Sequence, residues 1–376
     1  MERRWWWTAA GLLALAAIGT LVVVGRDGSL SRSTTCEDVE PGGTRFRSAL
    51  PSPPGGATEP GDPGGNHEPE FRPLGADPVF CADLADPSVA RIDDTIGSRV
   101  FVYGTNTDTA HVPVFIARSV LRSERIEDAL PALPPWAAPG GTWAPSVHQI
   151  EDRLVMHYTV TERASGLQCI SVATSQEAAG PFEDTSAGPL VCPRDQGGAI
   201  DPSVVETPDR GLFLLWKNDG NCCGSPVAIH AQPLTPDGLT VTGPARPLLT
   251  PTQPWEGSIV EAPAMVEHDG SYLLFYSANA WNSGDYAIGY ATCDSPQGPC
   301  TKPLAGPWLS SSAEAAGPGG QDLLIDGDGH FRMVFHAWQP DRIGYDVGGF
   351  RSLYVVDLSI VDGAPTVSSR DGQVGG

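Results

Sequence analysis

The sequence predicts an all-β fold, a five-bladed β-propeller, preceded by an N-terminal hydrophobic helix and a disordered Pro/Gly-rich linker. Three observations lead there. Short strand-like runs bounded by Gly, Asp and Asn follow one another at even spacing over residues 76–362. One tetrapeptide pattern recurs five times through that span. The chain holds 44 Gly and 36 Pro among 376 residues, a composition for many short strands and turns rather than long helices.

The first element, residues 1–25, opens with Arg3 and Arg4 and continues as an uncharged stretch from Trp5 to Gly25. That is longer than a signal-peptide core of about 7–15 residues and close to the roughly 20 residues that span a bilayer. A signal anchor or a signal peptide is expected. Either exports the rest of the chain to an extracellular setting, secreted or held at the outer face of the plasma membrane. Membrane contact is expected through this segment alone. Residues 26–75 include "PSPPGGATEPGDPGGNHEPEFRP", too poor in apolar side chains to bury a core, and read as a disordered linker. Eight cysteines fit export. Cys169 with Cys192 and Cys293 with Cys300 are expected disulfides. Cys222 and Cys223 either bond elsewhere or form a vicinal pair, and Cys36 and Cys81 pair with each other or with one of these. No pair has the C-x-x-C spacing of a zinc site.

The propeller follows from residue 76, with residues 363–376 as a tail. The repeat reads Asp86-Pro87-Ser88-Val89, Ala144-Pro145-Ser146-Val147, Asp201-Pro202-Ser203-Val204 and Ala262-Pro263-Ala264-Met265, with a looser fifth copy at Gly317-Pro318-Gly319-Gly320. Its prolines lie 58, 57, 61 and 55 residues apart. After each copy comes an apolar strand ("SRVFVYGTN", "DRLVMHYTV", "RGLFLLWKN", "GSYLLFYSAN", "HFRMVFHAW") and then another. A single such sheet cannot bury both faces, so neighbouring units must complete the core. Radial closure of five units does this; a pair of β-sandwiches would not give five equal periods.

Closure brings equivalent positions to one axial cavity. Asp86, Asp201 and Glu261 stand at or beside the repeat position and are the candidate catalytic residues. Crowded carboxylates raise the pKa of one of them, which separates a general acid from an ionised base. Glycoside hydrolysis uses that division. The plain structural role for either Asp is an Asx turn cap, and clustered acids also suit calcium. A net charge of −22 repels polyanions and argues against nucleic acid as a partner. A monomer is expected.

The segments "ADPSVARIDD", "GTWAPSVHQIEDRLVMHYT", "GGAIDPSVVETPDRGLFLLWK" and "IVEAPAMVEHDGSYLLFYSAN" resemble glycoside hydrolase family 43, whose members are inverting arabinofuranosidases, β-xylosidases and arabinanases on five-bladed propellers. The resemblance implies Asp86 as the base that activates water, Asp201 as the residue that orients the acid and tunes its pKa, and Glu261 as the acid, with Glu256 the competing candidate. It implies polysaccharide or oligosaccharide as substrate and no redox or organic cofactor. Many relatives read Gly-Pro-Gly-His in the fifth blade, the His often supporting a central cation. Here Gly320 and Gln321 stand instead, which leaves a structural calcium open and no metal ligand assigned. Trp143, Asn106, Asn279, Gln321, His336 and Arg351 are candidate substrate contacts, while Trp216, Trp281 and Trp338 read as packing. A non-catalytic carbohydrate-binding propeller, a scaffold for protein partners and a propeller glycosidase of another specificity are the alternatives.

Overall fold

The computed structural model of the chain describes residues 78–80, 82–94, 97–119, 122–325 and 330–368. The expected anchor at 1–25, the linker at 26–75 and Cys36 and Cys81 lie outside the described residues.

Five antiparallel sheets form among them, each a meander of sequential strands. The first blade holds β1 (Ser88–Asp94), β2 (Gly97–Tyr103), β3 (Pro113–Ser119) and β4 (Arg122–Asp128). The second holds β5 (Ala137–Ile150), β6 (Arg153–Glu162) and β7 (Gln168–Ser175). The third holds β8 (Ala199–Glu206), β9 (Leu212–Asn218), β10 (Ile229–Pro233) and β11 (Arg246–Leu249). The fourth holds β12 (Val260–His268), β13 (Ser271–Ala278), β14 (Ala287–Cys293) and β15 (Cys300–Thr301). The fifth holds β16 (Ala316–Ile325), β17 (Phe331–Trp338), β18 (Arg351–Val361) and β19 (Ala364–Ser368). The fold is thus the five-bladed propeller, with one boundary moved. β19 falls where the sequence reading placed a tail. Asp362 and Gly363 both adopt positive φ (52° and 75°), the geometry of a tight two-residue hairpin turn, so the chain reverses there and adds an outer strand.

Packing between blades closes the ring. Five apolar clusters form, one at each seam. Phe101, Met156 and Tyr158 mark the seam of blades one and two. Val155, Ile170 and Leu214 mark that of two and three. Leu215, Leu274 and Tyr276 belong to three and four, and Phe275, Phe335 and Tyr354 to four and five. Val89, Val102, Val334 and Leu353 belong to five and one. Each buried side chain of this size contributes about 1.5–3 kcal/mol, so no blade holds its shape without its neighbours. At the last seam the chain before the first blade docks on β18: the N–H of Val79 donates to Leu353 O (2.8 Å) and that of Leu84 to Arg351 O (2.9 Å).

Disulfides Cys169–Cys192 and Cys293–Cys300 each tie the outer part of a blade, as expected. Cys222 and Cys223 bond to each other, which decides between the two options left open for them. These bonds are consistent with an extracellular protein.

Candidate active site

The repeat motif is a β-bulge. In the innermost strands of blades two to five the register slips by one residue at the same place, for example between Ile200 and Ser203 and between Glu261 and Ala264, and in blade one Asp86 takes the equivalent position just ahead of β1. The bulged residue takes the left-handed conformation: Asp86 (φ 50°), Ala144 (42°), Asp201 (55°), Ala262 (49°) and Gly320 (59°). For a residue with a Cβ this costs about 1–3 kcal/mol, and it re-aims the side chain out of the strand's alternation. In the fifth copy this residue is Gly320, the last of the Gly317-Pro318-Gly319-Gly320 match. Asp322 pairs with Val334 and Gly319 with His336, so Gly320 and Gln321 form that bulge. Only glycine fits. A Cβ at Gly320 would lie 2.6 Å from the His336 ring and 2.8 Å from Asp86 Oδ1.

Left-handed bulges expose a backbone N–H, and each is capped from the preceding blade. Ala144 N donates to Thr105 Oγ1 (3.0 Å), Asp201 N to Thr159 Oγ1 (3.1 Å), Gly320 N to Ser277 Oγ (2.9 Å) and Asp86 N to His336 Nδ1 (3.0 Å). Four of the five caps thus come from the strand next to the innermost one or its end. The exception is Ala262, whose N–H donates to Asp201 Oδ2 (2.9 Å). Because Asp201 takes over the cap in the third blade, the β9 residue at the corresponding place, Lys217, is free to turn into the cavity. Its Nζ donates to Glu261 Oε2 at 2.8 Å and lies 3.9 Å from Asp219 Oδ1.

Asp86, Asp201 and Glu261 line one cavity of about 870 Å³, within the usual range for small-molecule sites. Their surroundings set their charges apart. Burial works to raise the Asp86 pKa, but Arg351 and a bond from Thr105 Oγ1 (2.6 Å) oppose it, and Asp86 sits below the ordinary carboxylate value. Asp201 is pushed up to about 8, by burial first and then by the negative charge of Glu261; Lys217 offsets only part of this. Both oxygens of Glu261 receive donors, Lys217 Nζ on Oε2 and Tyr286 OH on Oε1 (2.8 Å). Lys217 is fully buried, and Glu261 and Asp201 keep it charged against that burial. His336, also buried, is pushed down to about 3 by burial and by Arg351. It is neutral, and since Nδ1 accepts from Asp86 N, the proton sits on Nε2. An ionised Asp86 beside a guanidinium thus shares the cavity with an Asp201 that keeps its proton at neutral pH, a separation of charge that general acid–base hydrolysis can use.

The sequence profile of the glycosyl hydrolases family 43 matches residues 76–364, all five blades. This chain belongs to that family. It is a glycoside hydrolase. A crystal structure of a thermostable family-43 glycoside hydrolase superposes with a TM-score of 0.67 at 27% identity, covering 78% of this chain and 96% of that one. A β-D-galactofuranosidase of Aspergillus niger is 24% identical over 212 residues, 54% of this chain and 58% of its own length. An extracellular endo-α-(1→5)-L-arabinanase of Bacillus subtilis is 23% identical over 244 residues, 60% of this chain and 68% of its own. The chain therefore spans less than two thirds of the Aspergillus relative.

In this family 43 cavity the candidate contacts divide. Trp143, Asn106 and Arg351 line it with the carboxylates. Asn106 Oδ1 is buried without a hydrogen-bond partner. Arg351 Nη1 lies 3.4 Å from Asp86 Oδ1, and its guanidinium stands over the rings of Trp281 (4.8 Å), Tyr345 (5.6 Å) and Trp338 (5.9 Å). Trp281, read from the sequence as packing, is 40% exposed on the cavity rim. Three other candidates lie off the open cavity. Asn279 is spent on its own turn, Nδ2 donating to Trp255 O (3.0 Å) and Oδ1 accepting from Ala280 N (2.8 Å). Gln321 lies in a small axial hollow beside the cavity and uses both amide atoms, on Ser277 Oγ (2.8 Å) and Ala262 O (2.5 Å). His336 is fully buried behind Asp86, so it touches the bulge and not the open cavity. Glu256 stands apart from the site. It is buried in the turn Pro254–Glu256, caps Thr252 N and Gln253 N, accepts from Tyr276 OH (2.7 Å) and is paired with Lys302.

Lys217 and Tyr286 were not anticipated. A charged residue inside "LFLLWKN", otherwise apolar, was the readable signal for Lys217. Tyr286 gave none.

Proposed function

We propose that this chain hydrolyses α-L-arabinofuranosyl or β-xylosyl linkages in polysaccharide with inversion. Asp86 is the base, Glu261 the acid, and Asp201 the residue that holds the acid's protonation. The observation that carries the reading is that Asp86, Asp201 and Glu261 line one cavity and that two of them are driven apart: Asp86 held low by Arg351, Asp201 pushed up to about 8 by burial and by the neighbouring Glu261. Asp86 takes a proton from water as the water oxygen bonds to the anomeric carbon. The bond from that carbon to the leaving oxygen breaks, and Glu261 delivers the pair's proton to that oxygen. Base and acid come from the first and fourth blades, which suits the roughly 6.5–9.5 Å gap an inverting enzyme leaves for water. Lys217 and Tyr286 orient the acid, and Arg351 keeps the base ionised. Trp143 offers a flat wall to a sugar ring and Asn106 Oδ1 an acceptor for a hydroxyl. The N-terminal segment, as signal peptide or anchor, places the enzyme outside the cell.

The test is turnover of aryl α-L-arabinofuranosides and β-xylosides, with the anomeric configuration of the first product followed by proton NMR. Inverted product from one of the two supports the reading. No turnover of either, with sugar binding retained, favours the carbohydrate-binding propeller. The Aspergillus relative puts aryl β-D-galactofuranoside in the same panel as the second reading.

A further inference from the structure

The disulfide between Cys222 and Cys223 does not do what disulfides ordinarily do. Cross-links stabilise mainly by restricting the unfolded chain, and the effect grows with the loop they close. The other two described bridges span 23 and 7 residues; this one has a sequence separation of 1 and closes none. Nor is it needed to hold the turn Gly220–Cys223 in place. Asn218 pins both feet of that turn: its Nδ2 donates to Gln196 O (3.1 Å) and Pro226 O (2.9 Å), and its Oδ1 accepts from Ala228 N (2.7 Å). Asp219 N adds a bond to Gly198 O (3.0 Å).

What remains is the surface the pair presents. Both cysteines are exposed, whereas Cys169 and Cys293 are buried. Asn221 and Cys222 line the 870 Å³ cavity. They sit on the wall that carries Lys217, the partner of Glu261, with Asp219 between. Two bonded sulfurs make a polarizable apolar face without hydrogen-bond donors, which suits the C–H face of a sugar ring. Asn221 beside it offers an amide to ring hydroxyls.

We propose that the Cys222–Cys223 disulfide, with Asn221, is the leaving-group subsite, the platform on which the sugar released from the Glu261 side of the scissile bond packs. This rests on Glu261 being the acid, since the acid stands on the leaving-group side. The platform is a specificity device: it favours a glycosyl leaving group over a small one, and reduction dissolves it into two thiols.

The experiment measures binding of arabino- and xylo-oligosaccharides of one to three units by calorimetry, to Glu261→Gln and to the same protein carrying Cys222→Ala and Cys223→Ala. The expected result is a roughly tenfold loss of affinity for the di- and trisaccharide of the preferred sugar, with the monosaccharide far less affected. Equal affinities in the two proteins, an equal loss for all three lengths, or no measurable trisaccharide binding at all would overturn the subsite. If the triple variant does not fold, brief treatment of Glu261→Gln with a water-soluble phosphine replaces it. The phosphine takes up the oxygen of water and the pair becomes two thiols; alkylation and peptide mass mapping identify protein reduced only at Cys222 and Cys223, on which the same titrations are run. Failure of the hydrolase reading shows separately, as absent turnover of the aryl glycoside panel by the wild type.

Discussion

The backbone N–H of Asp86 donates to Nδ1 of His336 at 3.0 Å, across the seam where the last blade meets the first. The bond closes a ring of five inter-blade caps and fixes the bulge that aims the Asp86 carboxylate into the cavity. His336→Phe keeps an aromatic ring and removes the acceptor. An unsatisfied buried N–H costs about 1–3 kcal/mol, so urea unfolding is expected to show a loss in that range. A mid-point unchanged from wild type would mean that the cap carries no stability.

Arg351 holds the Asp86 pKa down. Arg351→Met is expected to let it rise, which moves the acidic limb of the kcat/KM profile to higher pH while the alkaline limb stays. If the acidic limb does not move, Asp86 is not the group that titrates there.

The alkaline limb is expected near pH 8, where Asp201 beside Glu261 releases its proton. Asp201→Asn removes one charge of the pair and with it the repulsion that retains the proton, so the limb moves down. The same group makes a stability prediction. Its folded pKa lies above the unfolded value of about 3.9, so the folded state binds more protons and stability is lost as pH rises from about 4 through about 8. Thermal melts across that window are expected to fall less steeply in Asp201→Asn than in the wild type. Parallel curves would contradict the raised pKa.

Glu256 and Glu261 are both buried glutamates paired with a lysine, and they are expected to part company on substitution. Glu256→Gln breaks the buried pair with Lys302, at a cost of roughly 3–5 kcal/mol. It leaves the pH–rate profile of the protein that remains folded unchanged. A shifted profile would put Glu256 back among the catalytic candidates.

The sequence carried the architecture because the bulge repeats, and a repeated bulge is visible wherever a side chain or proline marks it. In the fifth copy the bulge falls at the end of the Gly317-Pro318-Gly319-Gly320 match. Gly320 has no side chain to flag it. β19 was missed although Asp362-Gly363 is a hairpin signal. The three carboxylates were legible because they sit at or beside repeat positions. The partners of Glu261 were not, since Lys217 reaches it only because Asp201 caps Ala262, a fact about three blades at once. Asn279 misled in the other direction: strand-end asparagines serve turns as often as ligands, and its φ of 75° shows which use applies here.

The central claim is the division of labour between Asp86 and Glu261, and leaving-group dependence tests it most directly. Glu261→Gln and Asp86→Asn are assayed on aryl glycosides graded from dinitrophenol to unactivated phenol. Glu261→Gln is expected to lose roughly 10²-fold or more with poor leaving groups and little with dinitrophenol, in line with the loss of general acid catalysis, while Asp86→Asn loses rate across the whole series. A Glu261→Gln enzyme whose loss does not depend on the leaving group would contradict the account.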